Sequence, residues 1–199
     1  YASFADDLMK EAKETYEAMN KAEIDMQETL KPAYEMIETG TFTDKQRDEY
    51  YDIVDGYREE LEAVNKIRDK RERKKAEINI NAELNSLIKS LPLMETELVK
   101  IATFVANDQH VVGGMEDRYG NTNTENSNFL IGIADFHNGV DNPRFPTKRI
   151  VEKGKVFYEV NVGNKSIKLD QNQISKLLPI QDHNAKQQLN EVYNLAKTA

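Results

Sequence analysis

Two long runs of apolar residues at helical spacing constrain the fold of this 199-residue chain most strongly. From Phe4 to Ile37 the apolar positions recur every three or four residues, which places them along one face of a helix. A second run extends from Tyr50 to Leu91 and meets no proline before Pro92. The chain holds only 9 glycines and 5 prolines, so few positions interrupt these runs. The first half is therefore predicted to form long helices.

The segment between the two runs carries turn signals. Gly40 is expected to end the first helix in a left-handed cap, and Thr43 with Gln46 forms the spacing of a capping box. The second helix is predicted to run for about 45 residues, on the order of 70 Å, and to fold back on the first as an antiparallel coiled-coil hairpin. Pro32 either kinks or breaks the first helix. The predicted hairpin seam consists of Met19, Met26, Ile53, Tyr57, Val64 and Ile67.

Residues 93–199 are predicted to form a small α+β module beside the hairpin of residues 1–92. A core helix at 93–107 is followed by a polar loop at 113–128 and a short helix at 129–136 capped by Ser127 or Asn128. Alternating apolar residues predict a three-stranded β-meander at about 148–169. Asp170 is expected to cap a helix that ends near Pro179, and a last helix follows Asp182. The predicted fold class is mainly α with a small β part.

A basic segment lies in the middle of the predicted second helix. Its members are Arg68, Lys70, Arg71, Arg73, Lys74 and Lys75, interrupted by Asp69 and Glu72. The first helix is predicted to be shorter than the second, so this segment should extend past its helical partner. It could bind nucleic-acid phosphates or an acidic protein surface, or it could be a solvated face in which Asp69 and Glu72 pair locally. The overall charge of −8 argues against general affinity for nucleic acid or anionic membranes.

Few residues suggest catalysis or metal binding. The three histidines, His110, His137 and His183, do not occur at a recognised ligand spacing, and the chain has no cysteine. Asp135, His137 and Asp141 could ligate a metal or form an acid–base pair, and a hydrolase built around Asp135 and His137 is the third hypothesis. Asp117, Asn121, Asn123 and Glu125 alternate as calcium ligands do, but their loop lacks the central glycine of a regular calcium loop. We expect no catalytic residue, metal or cofactor.

The methionines of the first helix allow two interpretations. Met9, Met19, Met26 and Met36 could form an adaptable binding surface, whereas packing in the hairpin core is the simpler explanation. No apolar run approaches the roughly 20 residues needed to cross a bilayer, so no membrane partner is expected. The tyrosines Tyr50, Tyr51 and Tyr57 suit a seam that is partly open to water, or a contact between subunits.

The coiled-coil first half, the absence of cysteine and the stretch KVFYEVNVGNKSIKLDQNQISKLLP together resemble small structural proteins of tailed-bacteriophage virions. The resemblance is strongest over residues 148–179 and carries no functional residue across. It implies a non-enzymatic component of a head, neck, tail or internal virion assembly that is repeated around a symmetry axis. It also implies a location in the virion or the host cytoplasm.

The sequence therefore predicts a structural or assembly protein that forms homo-oligomers and contacts other structural proteins of the same assembly. The hairpin seam would act within each copy, and the exposed distal helix would act between copies or against a larger partner. The alternative is a nucleic-acid-associated accessory protein that binds through residues 68–75.

Overall fold

The computed structural model describes residues 2–107, 115–116, 122–178 and 195–196, and side chains within 3–107, 126–178 and 195–196. Its helices and strands are α1 (Ala2–Thr39), α2 (Asp44–Asn65), α3 (Lys70–Asn107), β1 (Met115–Glu116), β2 (Thr122–Asn123), α4 (Thr124–Asn138), β3 (Thr147–Glu152), β4 (Lys155–Val162), β5 (Lys165–Leu169) and α5 (Gln171–Ser175). Long helices precede a small three-stranded antiparallel sheet. The predicted fold class, mainly α with a small β part, is confirmed.

Helices α1 and α2 form an antiparallel hairpin. The Tyr34 hydroxyl donates to the Asp55 carboxylate at 2.7 Å, and Arg58 donates to Glu23 at 3.1 Å. Thr43 and Gln46 form the predicted capping box at the start of α2. Gly40 follows α1 as expected, but its φ is not positive. The predicted left-handed cap is therefore not formed. A Cβ at this position would instead overlap the Phe42 ring, so glycine leaves room for that ring.

The predicted second helix is divided in two, which is the main correction to the sequence-based fold. Helix α2 ends at Asn65, and α3 begins at Lys70. The Asp69 carboxylate accepts from the backbone N–H groups of Arg71 and Glu72 at 2.8 and 2.9 Å, which makes Asp69 the cap of α3. The sequence predicts local ion pairs for Asp69 as one alternative, and the structure shows capping instead. Asp69 and Glu72 have the spacing of a capping box, and that signal favours a helix start.

Two prolines lie inside helices. Helix α1 is continuous through Pro32, so the predicted alternative of a break is wrong. Helix α3 likewise continues through Pro92 to Asn107, and no separate core helix begins at residue 93. Proline removes one backbone donor from a helix interior, and packing of the neighbouring turns can offset that loss. Leu30 and Ala33 beside Pro32, and Leu91 and Met94 beside Pro92, are all buried.

Contacts divide the chain into two compact units. The first comprises Tyr1–Pro92 with Lys153–Lys155, and the second comprises Leu93–Glu152 with Val156–Ala199. In the first unit, the Tyr57 side chain of α2 hydrogen-bonds the Glu83 carboxylate of α3 and receives a backbone hydrogen bond from Gly154. Gly154 has φ +76°, and a Cβ there would overlap the backbone of Glu83. Close packing therefore requires glycine at this turn.

In the second unit, β3, β4 and β5 form the predicted meander. Tyr158 pairs with Leu169 and Val160 with Ile167 in the antiparallel register of β4 and β5. Val156, Tyr158 and Val160 are buried, as their alternation predicts. A Cβ at Gly132 of α4 would lie 2.9 Å from Val160 and 3.0 Å from the Phe145 carbonyl. Glycine therefore allows α4 to lie close against the sheet.

A buried ion pair connects α3 with this sheet inside the second unit. Arg149 of β3 donates to Glu95 of α3 at 2.6 Å, and their side chains are 1% and 6% exposed. The Arg149 Nε also donates to the Tyr158 hydroxyl at 3.0 Å, and the guanidinium lies 5.3 Å from the centre of the Phe136 ring. Several hydrogen bonds and a cation–π contact thus accompany the removal of both charges from water.

The helices that flank the sheet differ from the sequence predictions in their limits. Helix α4 begins at Thr124, so Ser127 is a buried residue inside the helix and neither it nor Asn128 is a cap. Strands β1 and β2 form a short antiparallel pair within the predicted polar loop. Asp170 caps α5 as predicted, but α5 ends at Ser175. The last helix predicted after Asp182 lies mostly outside the described residues.

Replacement of Gly154 by alanine tests the close packing of its turn, and Gly163 provides a matched control. Gly163 also has positive φ, +62°, but a Cβ placed there would meet no described atom within 4 Å beyond its chain neighbours. Gly163→Ala should therefore cost about 1–2 kcal/mol of conformational strain. Gly154→Ala adds steric overlap with Glu83 and should cost clearly more. Urea unfolding of both variants measures the difference. Equal losses of unfolding free energy would contradict the packing assigned to Gly154.

Neutralisation of Glu95 tests the buried ion pair. Glu95→Gln leaves the Arg149 charge without its carboxylate in a buried site, and should lower the free energy of unfolding by about 3–5 kcal/mol. The control is Glu152→Gln, which removes the 2.7 Å pair with Lys168 between partly exposed side chains and should cost about 1 kcal/mol or less. Denaturant unfolding compares the two variants. Similar losses of unfolding free energy in the two variants would show that the buried Glu95 pair contributes no more to stability than the exposed Glu152 pair.

Candidate interaction surface

The N-terminal half of α1 presents a row of apolar side chains to solvent. In the hairpin, Ile37, Ala33, Leu30 and Met26 are buried at alternating intervals of four and three residues. The same intervals continue to Glu23, Met19, Tyr16, Ala12, Met9 and Ala5. Met9, Tyr16 and Met19 are 71%, 67% and 69% exposed. The exposed face of α1, defined as the apolar positions between residues 4 and 22, therefore continues the register of the buried seam.

The loss of contact between α1 and α2 explains this exposure. Helix α1 has 38 residues whereas α2 has 22. Glu23 of α1 still pairs with Arg58 of α2, but residues 3–21 are all exposed. Beyond Arg58, the buried side chains Leu61 and Val64 belong to the part of α2 that approaches α3 near Glu83. The prediction that the second helix extends past the first is thus wrong, because α1 is the helix that has no helical partner among the described residues over half its length.

The exposed face is wide enough to pack against another helix. Leu8, Thr15 and Ala22 precede the seam positions Met9, Tyr16 and Glu23, so apolar or neutral residues occupy a third position of each heptad. A face of this width is typical of helices that pack against other helices. Phe4 lies at its edge and is 67% exposed. Single apolar residues on a surface are ordinary, but a contiguous row of them marks an interaction site.

The structure places the six predicted seam residues in different environments. Met26, Tyr57 and Val64 are buried, Ile53 and Ile67 are half-buried, and Met19 is exposed. Tyr57 faces Glu83 of α3 rather than α1. The expectation that the methionines pack in the hairpin core applies to Met26, whereas Met9 and Met19 lie on the exposed face.

The basic segment forms the turn between α2 and α3 and the start of α3. Arg68, Lys70, Arg71, Lys74 and Lys75 are exposed, and Arg73 is half-buried with its guanidinium donating to the Ile67 carbonyl at 3.2 Å. None of the six forms an ion pair with a residue in the described part of the chain. The segment therefore presents a concentrated positive charge, available for an anionic partner.

Charge is distributed unevenly along the first unit, a feature that the sequence prediction did not consider. Residues 1–65 contain 18 acidic and seven basic residues, a net charge of −11. Residues 68–75 contain six basic and two acidic residues, a net charge of +4. Opposite charges on separate surfaces of one chain favour contact between copies. The count could have been made from the sequence alone, because it needs no structural information.

Tyr57, Glu60 and Glu83 form a cluster of titratable groups between α2 and α3. Burial, followed by the charge and hydrogen bond of Glu83, raises the pKa of Tyr57 to about 12. Burial and the nearby Glu83 carboxylate raise the pKa of Glu60 above its ordinary value. Perturbed pKa values can mark catalytic sites, but the tyrosine hydroxyl here joins two helices. We interpret this cluster as part of the packing of α2 on α3.

The residues that could support catalysis do not form a site among the described residues. Asp135 and His137 are two positions apart on α4, a spacing that directs side chains to different sides of a helix. Burial raises the pKa of Asp135. The described part of the chain contains no group of three or more residues arranged to hold a metal ion. His110 and His183, together with the side chains of Asp117, Asn121, Asn123 and Glu125, lie outside the described residues.

Comparisons with known proteins identify no relative of this chain. No protein-family model matches the chain, and no significant match is found among curated proteins or solved structures. Across residues 2–107 and 122–178, no helix has the length and apolar character needed to cross a membrane.

The Glu60 carboxylate gives the cluster a pH dependence. Because its pKa is raised on folding, its contribution to stability is present below the pKa of the unfolded chain and is lost as the pH rises through the folded value. Glu60→Gln removes the repulsion from Glu83 and should raise the melting temperature at pH 7 by about 1–2 °C. This gain should shrink at pH 4, where the native Glu60 becomes protonated.

Thermal unfolding of Glu60→Gln and the native chain at both pH values measures this effect. Glu59→Gln removes a neighbouring acidic side chain of the same helix and serves as the control, with little change expected at either pH. A gain that is the same at pH 4 and pH 7, or a loss at pH 7, would contradict the assigned repulsion.

Proposed function

We propose that the protein is a non-enzymatic structural or assembly component that works by self-association through the exposed face of α1. The observation that carries this proposal is the continuity of register between the buried seam and the exposed face. The residues that close the hairpin and those that face solvent belong to one heptad pattern, in which Glu23 is the charged position between the buried and the exposed part. The resemblance to virion proteins of tailed bacteriophages suggests the kind of assembly in which such a component acts.

Helix energetics support a partner for this half of α1. Most helical stability in proteins comes from tertiary packing of an amphipathic face, so a stretch of helix without such packing is only weakly stabilised in water. Residues 3–21 are exposed throughout and include one short-range ion pair, Lys13 with Glu17 at 4.0 Å. Such a pair contributes a few tenths of a kcal/mol. Burial of Leu8, Met9, Tyr16 and Met19 would contribute far more.

The second candidate function is a nucleic-acid-associated accessory protein, which the exposed cations of residues 68–75 favour. These cations have no ion-pair partner among the described residues and could neutralise phosphates. The charge of −11 on residues 1–65 opposes such binding over most of the first unit. Binding that falls steeply with salt and disappears when Arg71, Lys74 and Lys75 become glutamine would favour this function over the first.

Replacement of two central residues of the exposed face tests self-association. Met9→Lys with Tyr16→Lys would place charges in the proposed contact and should weaken self-association at least on the order of a hundredfold, or about 2.7 kcal/mol. Light scattering at several protein concentrations should therefore show the native chain as an oligomer and this variant as a monomer. The face of α1 is exposed, so neither change should disturb the folded subunit.

The control is Leu93→Lys with Val99→Lys, which alters two apolar residues of α3 that are 54% and 49% exposed. This variant should keep the native molar mass because it leaves α1 unchanged. A native chain that is strictly monomeric at every concentration would exclude the proposal. Equal loss of association in both variants would assign the contact to a surface other than the exposed face of α1.

A further inference from the structure

From Ala5 to Tyr16, the seam positions of the exposed face alternate between small and large side chains. Met19, the next residue at the heptad position of the two alanines, is large. Met9 and Tyr16 occupy one position of the heptad, and Ala5 and Ala12 occupy the other. All four are exposed in the single chain. Their order therefore determines which arrangement of two helices can fill the space between them without voids.

A parallel pair of these helices would pack poorly. In a parallel two-stranded coiled coil, each seam residue faces the same residue of the other chain. Tyr16 would face Tyr16, whereas Ala5 would face Ala5 and Ala12 would face Ala12. The helices would be held apart at the tyrosines and leave unfilled space at the alanines, and each such void loses dispersion contacts.

An antiparallel pair matches large residues with small ones. In that arrangement each residue at one seam position faces a residue at the other seam position on the second copy. The two chains run in opposite directions, so the numbers of two facing residues add up to the same value in every layer. With Met9 facing Ala12 of the second copy, Tyr16 faces Ala5 of that copy. Both layers then combine one large and one small side chain, which is the packing that helix interfaces favour.

Charges beside the seam favour the same arrangement. Asp6 and Lys13 follow the seam positions Ala5 and Ala12, and both are exposed. In the antiparallel register, Asp6 of one copy lies beside Lys13 of the other, and the two-fold axis makes this pair twice. In a parallel pair, Lys13 would instead lie beside Leu8, which offers no charge.

The basic segment adds a second electrostatic match. The turn between α2 and α3 follows Asn65, seven residues and about 10 Å beyond Arg58 along α2, which is toward the level of Tyr16 on α1. In the antiparallel register, Asp6 and Asp7 of the second copy lie at this same level. Two acidic residues of one copy would thus lie level with the exposed cations of the other along the helix axis.

We infer that two copies of this chain associate through antiparallel pairing of their α1 faces, with Met9 against Ala12 and Tyr16 against Ala5 across a two-fold axis. This inference rests on the proposed function and specifies its partner and geometry. A two-fold contact is self-complementary and closes after two copies, so the seam from Ala5 to Tyr16 of each copy is covered. The acidic end of each α1 then lies level with the basic segment of the other copy.

Cysteine cross-linking of the full chain tests the geometry, because the native sequence has no cysteine to interfere. Two variants are made, Ala5→Cys and Tyr16→Cys, one of which carries a tag that changes its mobility on a gel. In the antiparallel pair, equal positions lie 11 residues apart along the axis, about 16 Å, which exceeds the roughly 7 Å that a disulfide can join between Cα atoms. Positions 5 and 16 of different copies face each other.

After mild oxidation, the mixture of the two variants should form a disulfide between unlike chains, whereas each variant alone should form none. A disulfide within Ala5→Cys alone would show parallel pairing and overturn the inferred geometry, but it would leave self-association intact. Strictly monomeric native protein in light scattering would overturn both the inference and the proposed function. A native mass of three or more chains would overturn the two-fold pair.

A charge exchange keeps the inference testable if cysteine weakens association. Asp6→Lys or Lys13→Glu alone should weaken the dimer about threefold to tenfold, because each places like charges side by side across the contact. The double variant should associate more tightly than either single variant, since it re-forms the pair with opposite signs, whereas the match of Asp6 with the basic segment stays lost. Additive weakening in the double variant would exclude the Asp6–Lys13 contact and the register that requires it.

Discussion

The mismatch in length between α1 and α2 determines how the first unit can be completed. Helix α1 continues for 38 residues, but α2 turns away after 22, at Asn65. The turn depends on Asp69, whose carboxylate accepts two backbone N–H groups at the start of α3. Without this cap, a continuous second helix could have followed α1 along its whole length. The short α2 leaves the N-terminal half of the heptad face of α1 without a partner in the part of the chain that the structure describes.

Close packing of α3 on α2 accompanies this early turn. Tyr57 donates from its hydroxyl to Glu83 and accepts from the Gly154 backbone, so one side chain connects α2, α3 and the turn at Lys153–Lys155. Gly154 can approach Glu83 only because it lacks a Cβ and adopts positive φ. The Glu60 and Glu83 carboxylates repel one another within this contact. The second unit has its own buried connection, in which Glu95 and Arg149 link α3 to β3.

The sequence predicted those features that depend on local signals. Thr43 with Gln46 located the start of α2, and the alternation of Val156, Tyr158 and Val160 located the buried face of β4. Pro32 and Pro92 could not be interpreted locally, since a helix continues through proline where surrounding packing offsets the lost hydrogen bond. Asp69 and Glu72 were ambiguous for a related reason. The same spacing suits a capping box or local ion pairs, and only the backbone geometry distinguishes them.

The sequence predicted which residues share one side of α1, but it did not predict which of them are exposed to solvent. Periodicity shows that Met9, Tyr16 and Met26 lie on one side of α1, but burial depends on where the partner helix ends. Only Met26 lies within reach of α2. The uneven charge of the first unit, by contrast, needed only a count along the sequence. The basic segment was noticed because it is compact, whereas the acidic excess is spread over 65 residues and forms no motif.

This acidic excess also explains why association would be confined to one part of the hairpin. Residues 22–65 contain 13 acidic and four basic residues, a net charge of −9, whereas residues 3–21 contain five acidic and three basic residues, a net charge of −2. Two copies that approached through the remaining hairpin surface would repel one another, since like charges within about 8–10 Å are only partly screened at physiological salt. The N-terminal half of α1 combines low charge density with the exposed apolar face. Repulsion elsewhere therefore directs contact between copies to the one segment whose burial stabilises it.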